Sequence, residues 1–461
     1  MNVNKSYLSI DPDFDIEREN EINNWCLQRV GKEKFKKGSL RLERMLKDSI
    51  AEITSIRKIK IVTVAGTNGK GETAYALSYL LQNSGIHHAL WISPHVMSIR
   101  ERISVDGKLI SYDKLKLLLE SEYERSELLG EKISYYELLL CVFIKHVLSF
   151  EDNFLKVLVL EVGIGGRIDG VNLFDADLTA ITSISRDHED LLGVGYKNIL
   201  MEKLGICRSK APLITNFELK YLRELTSEYA RNFCNECGEI NCINWIDLFE
   251  TGLLSREDNF SKRNRFLAFV LFKIIERNTD IANKAYIATN IANIADKTHQ
   301  EYISLVDDIP YFKGRNEQIT YQDNNSQFVF IGSHNLDGVR KLIHFAKDFD
   351  CALIALSKRS YEEEPFLIFK LFGKSISLAK NIYFTSFDHT KAFHFSSDFF
   401  KKFSDISGIE KNFVRYIEDW ESFVTSKELQ GKKVLVTGSY YFVGAVQTYL
   451  FKKKRANNIS F

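Results

Sequence analysis

The stretch VTVAGTNGKGETAYALSYLL (residues 62–81) decides the fold of the first half of the chain. An apolar β-run leads into a turn of small residues (66–71), and a helix is expected to begin near Glu72. Small residues let backbone amides close around phosphate oxygens, and the start of the helix adds partial positive charge. The side chain of Lys70 can reach the terminal phosphates. The generic pattern GxxxxGK[ST] is not met, because Val64 stands at its first glycine. The order of strand, turn, lysine and helix nevertheless favours a phosphate-binding loop over an ordinary strand-to-helix turn.

Apolar runs alternate with helical patterns along most of the chain, which is typical of parallel βαβ units. The strands predicted from these runs lie at 60–65, 156–163, 178–184, 211–215, 328–333, 351–357, 380–386 and 432–439. Because the runs are continuous rather than alternating, both faces of each sheet should be covered. The stretch SLVDDIPYFKGR (304–315) has no clear periodicity and predicts a boundary. We therefore expect a nucleotide-binding domain over residues 1–305 and a C-terminal α/β domain over residues 306–461.

Composition limits the classes of partner. With 62 basic and 61 acidic residues the formal net charge is +1, unlike the basic surplus of a dedicated nucleic-acid binder. The most apolar helix candidate, LLLCVFIKHVLSF (138–150), contains Lys145 and is too short to span a bilayer, so it should be a buried helix. No signal peptide is visible at the start of the sequence. We expect a cytoplasmic monomer that binds small molecules and has no nucleic-acid or membrane partner.

The seven cysteines suggest reduced thiols, as in a cytoplasmic protein. Cys234, Cys237 and Cys242 form the pattern C-x-x-C-x-x-x-x-C, which could seat a metal ion. A zinc site needs a fourth ligand at suitable spacing, and none is nearby. Free thiols in a surface insertion are the favoured interpretation.

Ordered sequence blocks make the assignment more specific. GTNGKG (66–71), with Thr73 close behind it, is similar to the phosphate loop of folylpolyglutamate synthases. The other similar blocks stand in the family's order: GSLRLERML (38–46), ISPHVMSIRERISVDGKLIS (92–111), ISYYELLL (133–140), LEVGIGGRIDGVN (160–172), ITSISRDHEDLLG (181–193), MEKLGICR (201–208), KGRNEQI (313–319), IGSHN (331–335) and VLVTGSYYFVG (434–444). Over about residues 37 to 446, the chain resembles the folylpolyglutamate synthase/dihydrofolate synthase family, a branch of the Mur ligases.

The resemblance implies an α/β fold, with a Mur-ligase-like P-loop domain built on a parallel sheet and a smaller Rossmann-like α/β domain after it. It also implies an ATP-dependent ligase that joins L-glutamate to a folate or dihydropteroate carboxylate through an acyl phosphate. The implied cofactors are ATP, one or two Mg²⁺ ions and K⁺. Two alternatives stay open: an amide ligase of the same fold that uses a different acid, and a catalytically silent nucleotide-binding homologue.

Candidate site residues follow from the strand ends and from the resemblance. Glu161 ends a predicted strand and His188 lies just past another, and sites of parallel sheets form at such carboxyl ends. The resemblance implies catalytic roles for Lys70, His188 and Lys203. It implies ATP binding by Gly66, Thr67, Asn68, Gly69, Lys70, Gly71, Glu72, Thr73, Asn264 (at the base), Arg315 and His334. It implies metal binding by Glu161, His188, Thr73 and Lys203, the last once carbamylation has made it an anion. The substrate would border Ser93, Pro94, His95, Arg167 and Asn172. From the residues alone, Lys203 is expected on a solvated helix face.

Two departures from the family pattern bear on activity. Glu72 stands where the family usually has a serine whose hydroxyl can bind Mg²⁺, and a carboxylate beside phosphates repels them unless a metal lies between. Glu72 is therefore a metal ligand, or is replaced in that role by Thr73, or weakens nucleotide binding. Ile331 replaces the aspartate that opens the family's Asp-Gly-Ala-His-Asn block. Both departures favour the alternatives, whereas the retained lysines, Glu161 and His188 favour an active enzyme.

Overall fold

The computed structural model describes most of the chain as two compact units. The described residues are 13–31, 40–209, 211–237, 243–276, 309–310, 312, 314–358, 364–375, 378–395, 400 and 414–456, without the side chains of 234–237, 315–316 and 455–456. The first unit comprises Asp13–Ser185 and Leu191–Pro310, and the second unit comprises Arg186–Asp190 and Tyr311–Phe461. The predicted boundary between residues 305 and 306 lies outside the described residues.

The first unit is built on an eight-stranded sheet. Its strands are β1 (Lys60–Ala65), β2 (His88–Trp91), β3 (Ile103–Val105), β4 (Lys108–Leu109), β5 (Val157–Glu161), β6 (Leu178–Ile181), β7 (Pro212–Thr215) and β8 (Asn244–Asp247). Their order in the sheet is β4-β3-β2-β5-β1-β6-β7-β8. The six strands from β2 to β8 in that order run parallel, and β3 and β4 add an antiparallel edge.

Helices cover this sheet, as continuous apolar strands require. They are α1 (Ile16–Arg29), α2 (Leu40–Ala51), α3 (Lys70–Asn83), α4 (Tyr112–Leu128), α5 (Tyr135–Leu148), α7 (Tyr196–Leu204), α8 (Lys220–Cys237) and α9 (Phe260–Glu276). The short helix α6 (Glu189–Leu192) includes residues assigned to each of the two units. Helix α5 begins with a capping box in which Ser134 and Glu137 satisfy each other's backbone amides. Its apolar residues are buried in the core of the unit, so the predicted buried helix is confirmed.

Strand β1 holds the central place in the first sheet. It pairs with β5 on one side, where Val64 is opposite Glu161, and with β6 on the other, where Ala65 is opposite Ile181. Because all three strands are parallel, their carboxyl ends emerge side by side at one edge. The segments that follow β1, β5 and β6 are therefore neighbours.

The second unit is built on a six-stranded sheet. Its strands are β9 (Arg315–Tyr321), β10 (Ser326–Ile331), β11 (Phe349–Ile354), β12 (Ala379–Thr385), β13 (Val414–Ile417) and β14 (Lys433–Thr437), in the order β13-β12-β11-β14-β10-β9. Only β9 runs antiparallel to its neighbour. Its helices are α10 (Leu336–Phe345), α11 (Glu364–Gly373), α12 (Trp420–Val424) and α13 (Tyr440–Ala456).

The predicted α/β class is confirmed, and each of the eight predicted runs overlaps a strand. Sequence analysis missed β2, β3, β4, β8, β9 and β13. The helix after the phosphate loop begins at Lys70, two residues earlier than expected. Within the described part of the chain, no helix is both long and apolar enough to cross a membrane.

Candidate functional site

The loop between β1 and α3 has a backbone that only glycine adopts easily. Gly66 and Gly69 have φ angles of 141° and 96°. A Cβ atom at Gly66 would lie 1.9 Å from Thr182 Oγ1, so a side chain has no room there. Gly69 is the N-cap of α3, and the first amide bonded inside the helix is that of Thr73, which donates to Gly69 O at 2.9 Å. The amides before Thr73 therefore point out of the helix start, where an anion can accept from them.

The loop is tied to the segment that follows β6. Thr67 N donates to Ser183 O at 2.6 Å, and Ser185 N donates back to Thr67 Oγ1 at 3.0 Å. Thr182 Oγ1 and Ser183 Oγ both donate to Asn68 O, at 2.7 and 3.0 Å. These bonds use side chains of both segments, so the loop is held in its shape by the protein itself.

Two charged side chains stand at the loop. Lys70 Nζ donates to Thr67 O at 3.1 Å, which keeps the ammonium group against the loop rather than in solvent. Glu161, at the end of β5, is 2% exposed and accepts from Ser93 N at 2.8 Å. Because Glu161 is opposite Val64 in the sheet, its carboxylate lies at the same edge as the loop. A cation for phosphate and a carboxylate for a metal ion are thus positioned at neighbouring strand ends.

Glu72 is engaged by helix α9. Its carboxylate accepts from Asn264 Nδ2 at 2.7 Å and from Ser261 Oγ, and Arg265 Nε lies 3.9 Å from it. Glu72 is 9% exposed. Thr73 is fully buried and its hydroxyl donates to Asn264 O at 3.3 Å. Asn264 therefore contacts both Glu72, which stands in place of the usual serine, and Thr73.

A buried carboxylate shapes the glycine-rich turn after β5, and sequence analysis missed it. Asp169 accepts from Gly163 N and Ile164 N through one oxygen and from Val171 N and the Tyr136 hydroxyl through the other, all within 3.0 Å. Burial raises the pKa of Asp169, and these hydrogen bonds act in the opposite direction. Asp169 belongs to the GGRIDG block, which the sequence analysis had singled out, but nothing in the sequence showed that its side chain is buried.

The same turn packs against the end of α7. A Cβ at Gly166 would lie 2.7 Å from Glu202 O and 3.0 Å from Lys203 Cα. Lys203 is 4% exposed, so the expectation of a solvated helix face was wrong, because the turn covers it. The predicted substrate residue Arg167 is exposed and pairs with Glu202.

Asn172, the other predicted substrate residue of this block, is hydrogen-bonded to backbone carbonyls and to Arg208. Its Nδ2 donates to Arg167 O and Gly205 O, both at 3.2 Å. Arg208 Nη2 donates to Asn172 O at 2.7 Å and to its Oδ1 at 2.9 Å. The side chain therefore joins the turn after β5 to the segment after α7.

The predicted substrate segment Ser93–His95 is held by side chains that sequence analysis did not single out. Arg102, which is fully buried, donates from Nε to His95 Nδ1 at 3.0 Å. The Glu101 carboxylate accepts from the amides of residues 96–98. Glu19 on α1 accepts from Ser98 Oγ at 2.8 Å and Ile99 N at 2.7 Å, and burial raises its pKa. No sequence signal linked α1 to this segment, because the partners are about eighty residues apart.

The second unit brings together His334 and Asn335 with Asp187, the neighbour of His188. Asn335 Nδ2 donates to Asp187 Oδ2 at 2.9 Å, and His334 Nε2 lies 3.6 Å from that oxygen. His334 Nδ1 bonds to Gly332 O at 3.0 Å, and its ring packs against Tyr440. His188 has a φ of 52° and a side chain that is 43% exposed. The side chain of Arg315 lies outside the described residues.

Metal ligands are not clustered within either described unit. Among the residues that the structure describes, no group of three or more His, Cys, Asp or Glu side chains could hold a metal ion. The predicted C-x-x-C pattern lies outside the described side chains: those of Cys234 and Cys237 are not described, and neither is Cys242. The described cysteines 26, 141, 207 and 351 are free and buried, and burial raises the pKa of Cys26 to about 12.

Comparisons with known proteins fit this geometry. No family model matches the chain. The chain is 27% identical over 413 residues to the dihydrofolate synthase/folylpolyglutamate synthase of Bacillus subtilis, covering 86% of this chain and 91% of that one. The folylpolyglutamate synthase structure of Thermotoga maritima superposes with a TM-score of 0.68 at 18% identity, over 95% of this chain and 98% of that one. Escherichia coli FolC, solved in complex with DHPP and ADP, gives 0.66 at 18% identity over 94% and 98%. These structures confirm the predicted two-part, Mur-ligase-like α/β fold.

Proposed function

We propose that this chain, which is 27% identical over 413 residues to the dihydrofolate synthase/folylpolyglutamate synthase of Bacillus subtilis, performs the ATP-dependent joining of L-glutamate to a folate or dihydropteroate carboxylate. The observation that carries the proposal is the preformed loop between β1 and α3, with Lys70 against it and Glu161 at the next strand end. A carboxylate does not react with an amine until it is activated. Transfer of the γ-phosphoryl group of ATP gives an acyl phosphate, and the amine of glutamate then displaces phosphate to form the amide.

The chain's residues divide this work among them. The glycine-rich loop and Lys70 bind the phosphates, and Lys70 offsets the negative charge of the transferring group. Ser93, Pro94 and His95 border the acid substrate, and the bonds of Arg102 and Glu101 hold that segment in place. Arg167 and Asn172 belong to the turn that shapes the remaining wall of the substrate site. The family resemblance also assigns ATP binding to His334 and Arg315, and that assignment is part of the proposal.

One buried carboxylate at the phosphate loop has the chemistry that suits a magnesium ion. Mg²⁺ prefers oxygen ligands and keeps several waters, and Glu161 offers a carboxylate that is 2% exposed. Glu161 and His188 would hold it, and when bound it offsets phosphate charge and polarises the γ-phosphorus. Lys203, which is 4% exposed, would hold a second ion as a carbamate. The role of Thr73 as a ligand, the second Mg²⁺ and K⁺ are parts of the proposal.

The experiment is glutamate-dependent ADP release by the purified protein with ATP and Mg²⁺. Dihydropteroate, tetrahydrofolate and no acid are compared in parallel. Release that depends on one of the two pterins would support the ligase and identify its acid. No release with either pterin, under conditions where the Bacillus subtilis relative works, would contradict the proposed acid. The cytoplasmic location and the monomeric state belong to the same proposal and are tested by fractionation and by sedimentation.

A second candidate is an amide ligase of the same fold that acts on a different acid. Two residues favour it: Glu72, which bonds to α9 where the family carries a serine, and Ile331, whose side chain cannot accept a hydrogen bond. ADP release with a non-pterin acid would support this candidate. Nucleotide binding without turnover of any acid would instead indicate a silent homologue.

A further inference from the structure

The predicted substrate segment Ser93–His95 leads into a short 3₁₀ helix that determines where the end of the segment lies. The helix comprises Ile99–Arg102, and Ser98 is its N-cap. Arg102, at the last position of the helix, is fully buried and donates from Nε to His95 Nδ1 at 3.0 Å. The place of His95 therefore depends on where this helix is fixed.

Glu19 on α1 fixes the 3₁₀ helix through both of its carboxylate oxygens. Its Oε1 accepts from Ile99 N at 2.7 Å and from Asn23 Nδ2 at 3.1 Å. Its Oε2 accepts from Ser98 Oγ at 2.8 Å and from the Tyr112 hydroxyl at 3.1 Å. Two of these bonds hold the start of the 3₁₀ helix, and the other two hold the carboxylate to α1 and α4.

A carboxylate at this place sets geometry rather than stability. Glu19 is 4% exposed, and a buried ion usually stabilises a fold no better than an apolar side chain of similar size. Its hydrogen bonds, in contrast, specify the distance and direction of the groups that they join. Glu19 therefore sets the position of the 3₁₀ helix relative to α1.

The substrate segment has a second attachment at its other end, and the phosphate loop has its own. Ser93 N donates to Glu161 Oε2 at 2.8 Å, so the beginning of the segment is fixed to the end of β5. Thr67 N donates to Ser183 O at 2.6 Å, so the phosphate loop is fixed to the segment after β6. A change at Glu19 should therefore move the far end of the substrate segment and leave the nucleotide site in place.

We propose that Glu19 is a positioning residue for the acid substrate: it anchors the 3₁₀ helix whose Arg102 holds His95 at the binding site of the pterin. The inference rests on the proposed function, since it requires that the segment borders the acid. Glu19 acts through the helix, and no contact between Glu19 and the substrate is required. Loss of the anchor should weaken binding of the acid without weakening binding of the nucleotide.

The test is calorimetric titration of the full-length protein with ADP and Mg²⁺, and then of the ADP-saturated protein with dihydropteroate or tetrahydrofolate. In Glu19→Gln an NH₂ group replaces one oxygen and faces two donors, so two of the four bonds are lost. The dissociation constant of the pterin that the wild type binds should rise about tenfold, the loss expected for one or two hydrogen bonds. The dissociation constant of ADP should keep its wild-type value. Glu17→Gln, on an exposed position of α1, is the matched control and should change neither constant.

A double-mutant cycle distinguishes positioning from a general loss of structure. Ser98→Ala removes one of the donors to Glu19, so it should also weaken binding of the same pterin. Because both residues act through one contact, the loss in the double variant should be smaller than the product of the two single losses. Variants that only destabilised the fold would weaken the binding of ADP and of the pterin together.

The outcomes separate the inference from the function on which it rests. A Glu19→Gln variant that binds the pterin as tightly as the wild type would overturn the inference. Equal weakening of ADP and of the pterin would also overturn it, because Glu19 would then only stabilise the fold. A wild type that binds ADP but neither pterin would contradict the proposed function, and the inference would fall with it. If Glu19→Gln does not fold, Ser98→Ala decides on the same pair of dissociation constants.

Discussion

At the residue scale, Lys70 carries the clearest prediction. Its ammonium group is held at the loop by Thr67 O at 3.1 Å, next to the amides at the start of α3. The Lys70→Ala variant lacks the positive charge that should offset the negative charge of the γ-phosphoryl group during its transfer. We expect glutamate-dependent ADP release to fall by about 10²- to 10³-fold, the usual loss when one electrostatic partner is removed.

The matched control for that prediction is Lys47→Ala, since Lys47 is exposed on α2. It should release ADP at the wild-type rate. The two variants should have the same circular dichroism, because neither lysine is buried. Full activity in Lys70→Ala would contradict the assignment of a phosphate loop.

Sequence alone predicted the loop residues but not their partners. Gly66, Gly69 and Lys70 could be predicted from the sequence because the loop is defined by neighbours in the chain, with a strand before it and a helix after it. The pairing of Glu72 with Asn264 joins residues that are 192 positions apart. A single sequence contains no signal for such a pair, which is why Glu72 was interpreted as a metal ligand or as a residue that weakens nucleotide binding.

At the element scale, the strands that sequence analysis found and those it missed differ in their composition. The eight predicted runs contain continuous apolar residues, since both faces of those strands are covered. Strand β9 (RNEQITY) is an antiparallel edge strand with polar residues, and β8 (NWID) is a short edge strand. Short or polar edge strands depend on pairing with a neighbour, and that neighbour is distant in the sequence.

The end of β8 carries a prediction about pH. Asp247 accepts from Thr215 Oγ1 at 2.6 Å and from Phe217 N at 2.9 Å, which joins the ends of β7 and β8. Burial raises its pKa to about 6 from the ordinary 3.8, so the folded protein binds a proton that the unfolded chain releases between these values. This contribution to the free energy of unfolding is fully present below pH 4 and is lost as the pH rises through 6. It amounts to about 3 kcal/mol.

Urea denaturation at pH 4.5 and pH 7.5 would measure most of this contribution. Asp247→Asn cannot ionise, so the difference in free energy of unfolding between wild type and variant should shrink as the pH rises. Asp48→Asn, on the exposed face of α2, should keep the wild-type pH dependence. A difference between wild type and Asp247→Asn that stays constant with pH would contradict the raised pKa.

At the scale of the whole molecule, each unit has its own sheet and its own buried core. The core of the first unit includes Trp91, Phe143 and Leu160, and that of the second includes Phe369, Phe372 and Phe384. A small single domain usually unfolds in one all-or-none step, but a chain with two separate cores does not have to. We therefore expect differential scanning calorimetry to resolve two transitions.

Nucleotide binding should raise the midpoint temperature of one of these transitions more than that of the other. The phosphate loop lies in the first unit, so ADP with Mg²⁺ at about one hundred times its dissociation constant should stabilise that unit by about 2.7 kcal/mol. With roughly 2.1 cal/mol/K of unfolding entropy per residue, its midpoint should rise by about 4 °C. The Lys70→Ala variant identifies the transition that belongs to the first unit, because ADP should raise the midpoint temperature of that transition less in the variant than in the wild type. If ADP moves neither midpoint in the wild type, the nucleotide does not bind the folded protein, and the proposed ligase reaction fails with it.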